Sequence, residues 1–137
     1  MRASRRGFVL LMLLCLSGTA FARSGVPIVN FEHNMIPAKP GTTRTLDDVQ
    51  RAIIMGAGKA GSWSASDTTP GRMKLTLMMR AHVAIVEVTY DTQSYSIRYA
   101  DSTNLNYKKE GNGEEIIQPH YNAWVQKLKI SIDRQLL

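Results

Sequence analysis

The chain has 137 residues, with 17 Lys and Arg against 11 Asp and Glu, a formal net charge of +6. Such a length suits one domain with one hydrophobic core. Three of the arginines fall in the first six residues; without them the balance is fourteen to eleven, a net +3 with acids interspersed, which excludes the basic footprint of a nucleic-acid-binding protein.

Met1-Arg2-Ala3-Ser4-Arg5-Arg6 is a positively charged start without an acid, and Phe8 to Leu16 is an unbroken apolar run. Ala20-Phe21-Ala22 then supplies a small-x-small cleavage site. This order predicts a secretory signal peptide over residues 1–22, cut after Ala22. The apolar run is about half of the roughly 20 residues a bilayer span needs, so it reads as a removed segment and not as an anchor. No later apolar segment is long enough to span a membrane. Cys15 lies inside the apolar run behind Leu13 and Leu14, a poor context for lipid attachment. It leaves with the signal, and the remaining 115 residues hold no cysteine, which excludes a disulfide, a thiolate metal site and a cysteine nucleophile.

Residues 23–44 carry Pro27, Pro37, Pro40 and Gly41 with little periodicity and read as an extended N-terminal arm. Residues 45–137 read as a single domain. Thr45 followed by Asp47 and Asp48 is a helix-start signature. Leu46, Val49, Ile53, Ala57 and Ala60 follow at helical spacing, and Gly61 stops a helix over 46–60. Trp63 to Asp67 is a candidate short strand, and Thr69-Pro70-Gly71 is a turn. Met73, Leu75, Leu77 and Met79 alternate with polar residues, as do Ala84, Val86, Val88 and Tyr90. Inward positions are odd in the first run and even in the second, so a tight turn or bulge is predicted near Arg80–His82. Tyr95, Ile97 and Tyr99 form another strand, and residues 100–117 read as a polar loop. Pro119 opens a helix over 119–136, with Tyr121, Trp124, Val125, Leu128, Ile132 and Leu136 on one face. The order predicts an α+β fold, a three- to four-stranded antiparallel sheet with two amphipathic helices packed on one face as a two-layer sandwich.

Few motifs carry chemistry. Gly56-Ala57-Gly58-Lys59-Ala60-Gly61 matches G-x-G-x-x-G, but it ends a helix where carbonyls, not amides, are free. Its small residues are expected to allow close packing against the sheet. His33, His82 and His120 have no metal-ligand spacing. Ser102, His82 and Asp101 could be written as a catalytic triad, yet the chain lacks a nucleophile elbow, and Asp101 and Ser102 are adjacent. Trp63, Tyr121 and Trp124 read as core rather than as a carbohydrate platform.

Arg80-Ala-His82, Tyr90-Asp91, Tyr95-Ser-Ile-Arg-Tyr99, Asp101-Ser102-x-Asn104-Leu105 and Tyr121-Asn122-x-Trp124, with Gly61, Trp63 and Pro70-Gly71, resemble a family of small exported proteins and lipoproteins of Gram-negative bacteria with no assigned activity. The resemblance spans roughly residues 45–130. It implies a periplasmic or outer-envelope place and an α+β fold, and carries over no catalytic or ligand residue. The expectation is a non-enzymatic periplasmic domain, without a cofactor, that binds an envelope protein or an anionic envelope component. Its expected interaction surface is Lys74, Thr76, Arg80, His82, Arg98, Asp101, Ser102 and Asn104. The alternatives are a small-molecule carrier with a pocket between helices and sheet, and a hydrolase using Ser102 and His82.

Overall fold

The computed structural model describes residues 25–137; the signal peptide read over residues 1–22 lies outside the described residues. Two helices and eight strands follow in the order β1 (Val26–Pro27), β2 (Phe31–Met35), α1 (Leu46–Lys59), β3 (Ser64–Thr69), β4 (Arg72–Met79), β5 (His82–Tyr90), β6 (Ser94–Thr103), β7 (Lys108–Lys109), β8 (Glu115–Ile117) and α2 (Pro119–Gln135). All strand pairs are antiparallel, so the fold is α+β.

Local chemistry starts and stops each helix. The Thr45 side chain accepts from the Asp48 amide while the Asp48 carboxylate accepts from the Thr45 amide, a closed capping box. At α2, Pro119 occupies the first turn, where its missing N–H costs nothing. The two helices meet at Gly56. A Cβ there would lie 2.8 Å from the Ile132 Cα, and the Gly56 carbonyl accepts from Ser131 Oγ at 2.7 Å. The small residues therefore serve helix–helix contact; the expected packing of the glycine against the sheet gives way to packing against α2.

Strands β3 to β6 form a meander, and β2 returns from the arm to lie beside β6, giving the order β2-β6-β5-β4-β3. The β4–β5 turn is Arg80–Ala81, with Arg80 at φ 56. A two-residue turn pairs odd positions of β4 with even positions of β5, which is why the apolar parity switches there. Leu75, Leu77, Val86, Val88 and Ile97 on the sheet share one buried cluster with Val49 and Ile53 of α1 and Val125, Leu128 and Ile132 of α2.

The strand count exceeds the three or four expected. Four further strands come from segments read as arm or loop. β1 and β2 lie in the arm, and β7 and β8 lie in the 100–117 loop, where β6 also runs on to Thr103. β1, β8 and β7 make a separate three-stranded sheet. These pairings are two to five residues long, too short for alternation to register, and Pro27 and Lys108-Lys109 argue locally against strand.

Candidate functional site

The inward residues of the five-stranded sheet share one buried core with the two helices, and the outward face of β4–β6 carries rows of side chains fixed by register. One row is Lys74, Glu87 and Arg98; the next is Thr76, Ile85 and Asp101; the third is Met78, Val83 and Thr103. Its cations are paired across strands. Arg72 reaches Glu87 at 2.7 Å, Arg98 reaches Glu32 at 2.7 Å, and Lys74 reaches Asp67 at 3.4 Å. The hydrogen bond from Arg98, reinforced by its charge, holds the Glu32 carboxyl below the usual range. Beside these pairs, Met78, Val83 and Ile85 leave an apolar strip, with Met78 75% exposed.

A bulge divides the expected surface residues between two faces. β6 pairs Tyr99 with Val86 and Asp101 with Ile85, leaving Ala100 as the extra residue. After it, Asp101 shares the outward face while Ser102, opposite Ala84, turns inward. Lys74, Thr76, Arg98 and Asp101 are thus brought together on the outward face. His82 and Ser102 point to the helix side, Arg80 sits in the turn, and Asn104 lies past the end of β6 at φ 59.

On the helix side these residues enter an aromatic cluster. The Ser102 hydroxyl lies 2.8 Å from the Tyr99 hydroxyl. Tyr99 stacks on Tyr107 at 4.7 Å and meets the edge of Tyr121 at 5.6 Å. Tyr107 donates to Glu115 at 2.8 Å. Burial raises the Tyr99 and Tyr121 hydroxyls above the ordinary tyrosine value, and the Tyr121 hydroxyl has no hydrogen-bond partner among the described residues. Trp63 and Tyr121 are buried in the core; Trp124 is half-buried, with the His82 and His120 rings 6.3 and 6.1 Å from its own.

The written triad does not assemble. His82 Nδ1 lies 2.7 Å from the Asn104 carbonyl, the Ser102 hydroxyl is engaged by Tyr99, and the Asp101 carboxylate accepts from the Ser102 amide. Neither of the two bonds a relay requires, serine to histidine and histidine to aspartate, is formed. Between helices and sheet, where a carrier pocket would lie, Ile53, Leu75, Ile97 and Ile132 are fully buried. At the molecular edge an open cleft of about 400 Å³ is lined by Asn34, Met35, Pro37, Lys129, Asp133 and Leu136. Its one acid, Asp133, already receives Tyr95 and Lys129. Among the described residues no three His, Cys, Asp or Glu side chains are grouped to hold a metal ion, and no helix is long and apolar enough to cross a membrane.

Sequence reasoning missed Glu32 and Glu87 as partners of the outward arginines, because both pairings depend on register. It also missed the Trp124–His82–His120 grouping, for which the i, i+4 spacing of His120 and Trp124 was the available sign. Comparison with known family models, with curated proteins and with solved structures finds no match.

Proposed function

We propose that the chain is an exported periplasmic protein whose mature part is a non-enzymatic binding domain, a two-layer sandwich that docks an envelope protein on the outward face of its sheet. The observation that carries this reading is the outward face itself, where an apolar strip of Met78, Val83 and Ile85 lies beside the cations Arg72, Lys74 and Arg98, each paired with an acid. Such a mixed face suits a protein partner. A polyanionic envelope component would call for unpaired cations, and Arg72, Lys74 and Arg98 are each engaged by an acid. Lys74, Thr76, Arg98 and Asp101 form the rim of the proposed contact.

Photo-crosslinking in cells tests it. A photoreactive residue replacing Ile85 is expected to give one discrete protein adduct, and one replacing Lys127, exposed on α2, to give none. Adducts of equal yield at both positions, or only lipid-sized adducts at Ile85, would overturn the docking face. Export is checked separately by the mature N-terminus, expected to be Arg23 in the periplasmic fraction. An intact Met1 in the cytoplasm contradicts it.

A further inference from the structure

The β4–β5 turn sets Met79 directly opposite His82. Both follow the inward parity of Leu77 and Ala84, so their side chains stand on the helix side with Cβ atoms about 5 Å apart. Helix α2 brings Trp124 to the same end, its ring 6.3 Å from that of His82. One turn earlier on α2, His120 lies 6.1 Å from the same indole. Met79 is 39% exposed and His82 is half-buried, so solvent reaches the group.

His82 is already oriented as a ligand. Its Nδ1 lies 2.7 Å from the Asn104 carbonyl oxygen, which can only accept. The proton therefore sits on Nδ1, and the lone pair of the neutral ring is on Nε2. A backbone carbonyl holding the far nitrogen is the usual outer support of a metal-binding imidazole. The groups gathered here are one thioether, two imidazoles and an indole face, with no carboxylate or thiolate among them. Zinc prefers thiolate, imidazole and carboxylate sets. Thioether with imidazole suits a soft ion, and an indole face adds attraction for a cation.

We propose that this cluster binds a soft monovalent metal ion, copper(I) or silver(I). Met79 Sδ and His82 Nε2 are the ligands, and Trp124 lies against the ion through its ring, with His120 beside the same indole. The site is on the helix side and stands independently of the outward docking face.

Silver(I) titration of the purified protein provides the test, followed by tryptophan fluorescence and native mass spectrometry, with copper(I) under argon as the second probe. Saturable one-to-one binding with quenching is expected. In W124F the quenching is lost while the one-to-one adduct remains. M79L, which keeps the side-chain shape, and H82Q should each weaken binding by about tenfold or more, a loss in the range seen for disturbed metal sites. M78L, on the opposite face, should bind as the parent does. Near-UV circular dichroism establishes that each variant is folded, and M79L alone decides the matter if H82Q does not fold. The proposal is overturned by absence of one-to-one binding, by parent-like binding in folded M79L, or by tighter binding of zinc than of silver.

Discussion

Gly56 and Gly58 lie two residues apart on α1 and meet opposite surroundings. A methyl group on Gly56 would sit 2.8–2.9 Å from the Ile132 backbone, which cannot rotate away, whereas nothing lies within 4 Å of a methyl on Gly58. Gly56→Ala should destabilise the protein by about 1–3 kcal/mol through overpacking. Gly58→Ala should be neutral or stabilise by up to about 1 kcal/mol, since alanine is the better helix former. Urea unfolding of the two variants checks both signs. A second residue-scale prediction concerns acid. The Glu32 carboxyl is depressed below its ordinary 4.5 by the hydrogen bond and charge of Arg98. A depressed carboxylate stabilises the fold above its unfolded pKa, and that contribution is lost as pH falls through the folded value. Between about pH 5 and about pH 2.5 the melting temperature of E32Q should therefore fall less than that of the parent. An equal fall in both would contradict the pair.

At the scale of elements, α2 is tied to β6 through the Tyr95 hydroxyl, which also lies 3.3 Å from the Lys129 carbonyl. The Tyr95 hydroxyl donates to Asp133, which also accepts from Lys129 at 2.7 Å, and burial and the neighbouring carboxylate push the Tyr95 hydroxyl well above its ordinary 10. A raised pKa stabilises the fold fully below the unfolded value, and the contribution is lost as pH rises from there toward the folded one. Tyr95→Phe should cost about 0.5–1.5 kcal/mol near neutrality. It should also flatten the loss of stability above about pH 10, both read by chemical denaturation across pH. The partners Tyr95 and Asp133 are 38 residues apart, so no sequence window contains the contact. Elements with a full period were legible: α1, α2, β4 and β5 fall within a residue or two of their expected bounds. The candidate site was legible only in part. Lys74, Thr76 and Arg98 share a face as simple alternation implies, but the bulge at Ala100 reverses parity and sends Ser102 inward. Ala100 carries no glycine or other local mark of a bulge. Strands of two or three residues, such as β1, β7 and β8, are made by their partners and not by their own composition.

At the scale of the whole molecule, the segment that reads as an extended N-terminal arm is built into both sheets. Val26 pairs with Ile117, Phe31 pairs with Ile97, and Ile36 is buried in the core. Removing residues 23–36 should uncover the β6 edge and cost about 3 kcal/mol or more, from Ile36 and the partly buried Ile28 and Phe31. Loss of a cooperative thermal transition, with increased light scattering, is the expected result; an unchanged transition would show the arm to be dispensable. These long-range pairings also set a clock. The second described residue waits for a partner 91 positions later, so the smaller sheet cannot close until almost the whole chain is present. A chain emerging N-terminus first can form α1 and the β3–β5 meander early. It gains its last layer, and the seal between its two ends, only when β8 and α2 have followed. Completion of the fold is thereby deferred to the end of emergence, a timing compatible with a polypeptide threaded unfolded through a narrow channel.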